Sequence, residues 1–334
     1  FGKTLNPWNT SRSAAGSSGG AAVALATGTA WVAHGSDMGG SLRNPASFCG
    51  ITGMRPSPGR IATTRASSIG GLLGADGPMA RDVEDLALLF DAMRGEAPGD
   101  PISIPYDGVS YLDAARTGPA PKRVALSRDL GITPVDGEVG DIVLAAGRRF
   151  DEAGVEVVEA HPDLSEAHDC FQTLRALSFA TSLKPLLENH HGKLKPEVIW
   201  NIEKGLALTA DDIVKAENQR AAMFQRVLEF FQTYDLLLCP ATIVAAYPVE
   251  QRYLEECDGH KFSNYIEWLA IAYAITNVAC PALSLPAGFN SENLPVGIQI
   301  VGPPRGDANV IRGARLLEDI LGLRGSVPID PRVA

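Results

Sequence analysis

Two serines in a glycine-rich stretch carry the chemical suggestion of this sequence: Ser17, in Ala15-Gly16-Ser17-Ser18-Gly19-Gly20, and Ser41, in Gly35-Ser36-Asp37-Met38-Gly39-Gly40-Ser41-Leu42-Arg43. Neither has a histidine paired with it in sequence, so the chemistry is serine hydrolysis without an imidazole base. In Met38-Gly39-Gly40-Ser41 two of the four residues are glycine, and glycine lets a turn aim successive amides inward as a cradle for negative charge. A hydroxyl at the end of such a run has its own oxyanion donors, and in other hydrolases losing one such donor costs about 2.7 to 4 kcal/mol of transition-state stabilisation. Ser17, among Gly16, Gly19 and Gly20, leaves room for close approach and suits a proton relay, with Ser18 beside it in support.

The competing readings are a linker and a phosphate loop. Ala21-Ala22-Val23-Ala24-Leu25-Ala26 follows the glycines directly, and its small helix formers turn the glycine stretch into a helix start rather than a spacer. No lysine follows as a nucleotide-binding loop requires. Asp37 and Arg43 flank Ser41 with opposite charges and are expected to hold the turn through hydrogen bonds and an ion pair. His34 reads as a core histidine of Ala30-Trp31-Val32-Ala33-His34, and His190 and His191 as a solvated pair. No cysteine or histidine cluster has ligand spacing, so neither a metal nor another cofactor is expected.

Taken together, these segments resemble the amidase signature family, serine amidohydrolases with a Ser, a Ser on a cis peptide bond and a Lys. The resemblance runs from Phe1-Gly2-Lys3-Thr4-Leu5-Asn6-Pro7-Trp8-Asn9 through both serine motifs to Arg43-Asn44-Pro45-Ala46 and Phe48-Cys49-Gly50-Ile51-Thr52-Gly53-Met54-Arg55-Pro56. It resumes at Gly77-Pro78-Met79-Ala80-Arg81-Asp82-Val83-Glu84-Asp85, with weaker echoes in Asp235-Leu236-Leu237-Leu238-Cys239-Pro240 and Leu294-Pro295-Val296-Gly297-Ile298-Gln299. It implies that Ser41 is the nucleophile, Ser17 the bridging serine after a cis peptide, and the amides of Met38, Gly39, Gly40 and Ser41 the oxyanion hole. Ala15 stands where the family usually has glycine, and Met38 where threonine is common. The family's lysine precedes the bridging serine by several tens of residues; Lys3 belongs to a different motif, so the lysine is expected outside this sequence, which then reads as one amidase signature domain, 1–334, lacking its N-terminal part.

The resemblance implies an amidohydrolase acting on linear amides through a Ser41 acyl-enzyme. Two alternatives stand beside it: a glutamine-hydrolysing amidotransferase chain of the A type, and a non-catalytic binding module, suggested by the missing lysine.

The elements that must position these residues alternate in type. Helix is expected over 20–27, a buried strand over 29–35, then the nucleophile loop and a glycine-proline stretch through Pro58. Arg81 to Met93 reads as a helix and Gly95 to Pro121 as a surface connection. Arg123 to Leu126, Val139 to Ala153 and Val155 to Glu159 read as a β-α-β unit. The pattern from 164 to 234 is helical, broken at Gly192 to Pro196, and is the expected substrate wall. Leu236 to Cys239, Ala282 to Leu285 and Gly297 to Val301 read as buried strands and Asp307 to Leu321 as the closing helix. This is an α/β fold, consistent with the α/β/α sandwich around a mixed, largely buried β-sheet that the family resemblance implies.

The chain has 334 residues, 29 basic and 39 acidic, for a net charge of −10, and no basic run. Nucleic acid and membrane surfaces are therefore not expected as partners, whereas a small-molecule amide is, and a homodimer stays open. Five widely spaced cysteines in apolar text suggest reduced thiols and a cytoplasmic protein. The uncharged run Leu269 to Phe289 reads as a buried helix followed by a buried strand, because its prolines interrupt any membrane span.

Overall fold

The computed structural model describes residues 2–63 and 71–333. Its frame is an eight-stranded mixed sheet flanked by helices, with strands in the order Val32–Asp37, Ala75–Ala80, Thr52–Arg55, Ala282–Phe289, Pro295–Val301, Leu236–Pro240, Arg123–Leu126 and Glu156–Glu159. Neighbours are antiparallel as far as Leu236–Pro240, and the last three strands run parallel. The parallel portion arises from the expected β-α-β unit, whose connection is the helix Gly137–Arg148. Leu236–Pro240 and Pro295–Val301 are buried at every residue, which is why Leu236 to Cys239 and Gly297 to Val301 read as buried strands and not as alternations.

The closing helix, Asp307–Leu321, buries Val310, Ile311, Ala314 and Leu317, one face at helical spacing. Gly313 lets it lie close: a Cβ there would sit 2.3 Å from Leu236 Cδ1. The 164 to 234 region forms three helices, Ala167–His190, Pro196–Leu206 and Ala210–Phe230. The last starts with a capping box in which Thr209 and Asp212 satisfy each other's amides. Leu269 to Phe289 resolves into the buried helix Ala270–Asn277 and the strand Ala282–Phe289. Among the described residues no helix is long and apolar enough to cross a membrane. All five cysteines are free and buried.

Three expectations need correction. The strand expected as buried over 29–35 spans Val32–Asp37 and forms the edge of the sheet; Trp31 beside it is 75 % exposed and His34 is exposed, 3.9 Å from Asp76. Apolar content marked a strand but not its place in the sheet. The connection 95–121 contains the helix Tyr111–Thr117, capped by the Ser110 side chain and anchored by Tyr111 stacking on Phe90 at 4.1 Å. The stretch before Pro58 holds the helix Arg43–Cys49 and the strand Thr52–Arg55, both too short to show a period and both buried throughout.

Candidate active site

The nucleophile motif leaves the sheet at Asp37, the last residue of the edge strand, and enters the buried helix Arg43–Cys49 six residues later. The turn between them closes on the Asp37 carboxylate. Oδ1 accepts the Gly40 amide at 2.9 Å, and Oδ2 accepts the Leu42 amide at 3.1 Å. Gly40 has φ +108°, and a Cβ on it would lie 2.5 Å from Asn44 Oδ1 and 2.8 Å from Ala272 Cβ, so this position admits only glycine. The amides of Met38, Gly39 and Ser41 make no hydrogen bond to any described residue.

Arg43 holds the carboxylate in place. Its side chain is fully buried, and every guanidinium hydrogen is used: Nε and Nη2 fork onto Asp37 at 3.0 and 2.8 Å, Nη1 donates to Ala272 O and Gln299 Oε1 at 2.7 and 2.6 Å, and Nη2 also reaches Thr276 Oγ1 at 3.2 Å. A second buried arginine, Arg55, donates to the Asp37 carbonyl at 2.5 Å and to the Leu72 and Leu73 carbonyls at 3.1 and 2.8 Å. Burial opposes ionisation of Asp37, but the charge and hydrogen bonds of Arg43, then the charge of Arg55 and the Gly40 amide, outweigh it and hold the carboxyl at about 2. Burial lowers Arg55 to about 10 against the opposing pull of Asp37.

The Ser17 loop packs on this turn. The Gly16-Ser17 peptide is cis. Ser18 joins the loops: its amide donates to Ser41 O at 3.3 Å, its hydroxyl donates to Ser36 O at 3.4 Å, and it accepts the Ser36 amide at 3.4 Å. Gly35 permits the approach, since a Cβ there would stand 2.6 Å from Ser18 Oγ. Ser17 is exposed, Ser41 is half-buried, and neither hydroxyl makes a hydrogen bond to a described residue. Lys3 lies elsewhere, paired with Glu250 at the surface. Phe171 covers the other side of the turn, 3.3 Å from where a Gly39 Cβ would be, and stacks on Tyr273 at 4.3 Å. Among the described residues no three His, Cys, Asp or Glu side chains cluster as metal ligands.

The sequence profile of the Amidase family matches residues 1–311. The chain belongs to the Amidase family. It is 33 % identical to an acylamidase of Rhodococcus erythropolis, over all of this chain and 70 % of that protein. It is 32 % identical to the A-type subunit of a glutamyl-tRNA(Gln) amidotransferase from Rubrobacter xylanophilus, over 97 % of this chain and 71 % of that one. The fold matches the crystal structure of a bacterial aryl acylamidase of the amidase signature enzymes with a TM-score of 0.88 at 26 % identity, covering 98 % of this chain and 71 % of that one.

Within this amidase fold the sequence reading missed the distant half of the anchor: Thr276, Gln299, Arg55 and the cover Phe171. A signal was present for two of them. Gln299 interrupts the otherwise apolar strand Pro295–Val301, and Thr276 sits near the end of the apolar helix Ala270–Asn277. A polar residue in such a run must have a buried partner. Here both partner Arg43, and Gln299 Nε2 also donates to Cys239 Sγ and Ile271 O at 3.1 and 3.2 Å.

Proposed function

We propose that this chain is an amidohydrolase that cleaves the C–N bond of a linear carboxylic amide through an acyl-enzyme on Ser41. Ser41 Oγ attacks the carbonyl carbon while its proton passes to Ser17 Oγ, whose own proton goes to a neutral lysine, the base that the family resemblance calls for; no lysine of this sequence is assigned to that role. The tetrahedral oxygen receives hydrogen bonds from the Met38, Gly39 and Ser41 amides, while the Gly40 amide serves the turn through Asp37. The C–N bond then breaks, the leaving nitrogen takes a proton back through Ser17, and water repeats the relay on the acyl carbon to release the acid and restore Ser41.

The observation that carries this reading is the Ser18 N to Ser41 O hydrogen bond, which borders the two serine loops on one another beside a turn with three uncommitted amides. A fluorophosphonate probe followed by intact mass and peptide mapping tests it. The label is expected on Ser41 and absent in Ser41→Ala, whose amide turnover should fall on the order of a millionfold. A label mapping elsewhere, or S41A protein that still hydrolyses amides, overturns the assignment.

The amidotransferase relatives favour a second reading, in which glutamine is the amide and ammonia passes to a partner chain. Glutamine hydrolysis that appears only with a second protein would select it, and steady hydrolysis of simple amides by this chain alone would reject it.

A further inference from the structure

An amide kept free for an oxyanion cannot be fixed by a hydrogen bond of its own, so packing has to fix it. In the nucleophile turn the Gly40 and Leu42 amides are tied to Asp37, whereas the Gly39 amide makes no hydrogen bond to any described residue. Gly39 has no side chain to wedge it either. The ring of Phe171 lies against it, with Cζ 3.3 Å from where a Gly39 Cβ would stand. Oxyanion donors act fully only when they are aimed before the reaction begins, so whatever holds Phe171 bears on the chemistry of the turn.

Phe171 stacks on Tyr273 with ring centroids 4.3 Å apart and planes 3° from parallel. Tyr273 belongs to helix Ala270–Asn277, whose Ala272 and Thr276 receive the Arg43 guanidinium, so the same helix serves both the anchor and the cover of the turn. Tyr273 is fully buried, and its hydroxyl has one partner among the described residues, His168 Nδ1 at 2.5 Å. His168 and Phe171 are three residues apart on helix Ala167–His190 and therefore share a face. Stacking has little direction within the ring plane, but the hydroxyl bond does, and it fixes the register of the two rings.

That bond has one polarity. Burial raises the pKa of Tyr273, so its hydroxyl keeps its proton and donates, and His168 must be neutral with a bare Nδ1. His168 is half-buried and lines a polar cavity of about 350 Å³ beside helices Pro196–Leu206 and Ala210–Phe230, which lets it exchange protons with solvent. Burial lowers its pKa below 6.5, outweighing Glu267 and the adjacent Asp169, which raise it, while Lys204 adds to the lowering. Asp212 and Lys215 line the same cavity. His168 is thus an acceptor at neutral pH, and once protonated at Nδ1 it is a donor facing a donor.

We propose that His168 is a positioning residue of the Ser41 site, a role that rests on the acyl-enzyme reading above: through Tyr273 and Phe171 it holds the Gly39 amide in the direction that the oxyanion requires.

The test is the rate of fluorophosphonate labelling at Ser41, because the phosphoryl oxygen draws on the same amides as a tetrahedral intermediate. His168→Leu removes the acceptor and should slow labelling about tenfold, short of the roughly hundred- to thousandfold loss that follows deletion of an oxyanion donor. His168→Asn, whose Oδ1 replaces Nδ1 as an acceptor that does not titrate, should restore the native rate at pH 8. Relative to that variant the native protein should lose up to about tenfold in rate as pH falls from 6.5 towards 5, the ratio cancelling every ionisation that the two proteins share. Tyr273→Phe keeps the stack without the hydroxyl and should slow labelling equally whether position 168 is His or Asn. A native protein that takes no label on Ser41 refutes the Ser41 reading itself. A native protein that labels, with His168→Leu as fast, His168→Asn as slow as His168→Leu, or a ratio flat in pH, overturns the positioning role alone. If His168→Leu does not fold, the pH ratio and Tyr273→Phe decide between the same outcomes.

Discussion

Replacing Arg43 by methionine removes the side chain that forks onto Asp37 and joins the nucleophile turn to Gln299 and to helix Ala270–Asn277, and its consequences can be worked out in sign as well as size. The substitution keeps the volume of the stem but withdraws five donors, taking the Arg43 bond from Ala272 O, Gln299 Oε1 and Thr276 Oγ1 and leaving the Asp37 carboxylate with two amides and the more distant Arg55, 3.8 Å away. Breaking a buried ion pair by deleting one partner costs about 3 to 5 kcal/mol. The pH dependence follows from Asp37. In the native protein its pKa of about 2 lies below the ordinary carboxylate value of 3.8, so its ionised form contributes roughly 2 kcal/mol that is present above pH 3.8 and is lost as pH falls through 2.

In Arg43→Met the balance reverses. Burial, the largest influence on this carboxyl, is no longer outweighed, and the folded pKa rises above 3.8. The variant then gains stability, relative to the native chain, as pH is lowered towards 4 and Asp37 takes up its proton. Urea denaturation followed by tryptophan fluorescence, at pH 7.5 and at pH 4.5, should show the larger deficit at the higher pH. A deficit below about 1 kcal/mol, or one of the same size at both pH values, would refute the claim that a desolvated charge governs the turn.

Three other perturbations follow from the same geometry. Gly40→Ala puts a methyl group against Asn44 and Ala272 at a left-handed φ; a loss of about 1 to 3 kcal/mol in thermal unfolding and a slower probe reaction at Ser41 are expected, and an unchanged melting temperature would contradict them. Phe171→Ala empties the space beside Gly39 and should destabilise by about 3 to 5 kcal/mol, read by the urea midpoint. Glu318 is buried, which raises its pKa to about 7 despite the Val83 amide it accepts at 2.9 Å. Because that value lies above the ordinary 4.5, its contribution is complete below pH 4.5 and is lost as pH rises through 7, by at most about 3 kcal/mol. Glu318→Gln should flatten this decline in melting temperature between pH 5 and pH 8, and an identical decline in the variant would show that another group titrates.

The parts of the fold legible in the sequence were those whose local pattern already states their environment. Leu236-Leu237-Leu238-Cys239 has no polar face, so it belongs in a sheet covered on both sides, and it pairs there with Pro295–Val301 and Arg123–Leu126. Asp307–Leu321 declares its buried face by spacing alone. What remained hidden depends on neighbours far along the chain. Nothing in Ala30-Trp31-Val32-Ala33-His34 says that only Ala75–Ala80 lies beside it, and the same residues in the middle of the sheet would be buried. In the site, the opposite charges of Asp37 and Arg43 were readable because they flank a nucleophile six residues apart. The acceptors that fix where Arg43 points come from positions 272, 276 and 299, and local sequence carries no register for contacts over such a distance.

The turn also resolves an electrostatic difficulty that its own anchor creates. A carboxylate beneath an oxyanion hole would repel the negative charge that develops on the substrate oxygen, yet Asp37 is what orients the Gly40 and Leu42 amides. Arg43 forks onto that carboxylate in a fully buried geometry, and Arg55 stands 3.8 Å from it. Burial depresses Arg55 only to about 10, so it is protonated at neutral pH, and the three side chains together carry one net positive charge under the turn. Asp37 therefore acts through its two amide bonds while its field is more than cancelled, and the oxyanion proposed above would form with net positive charge behind the turn.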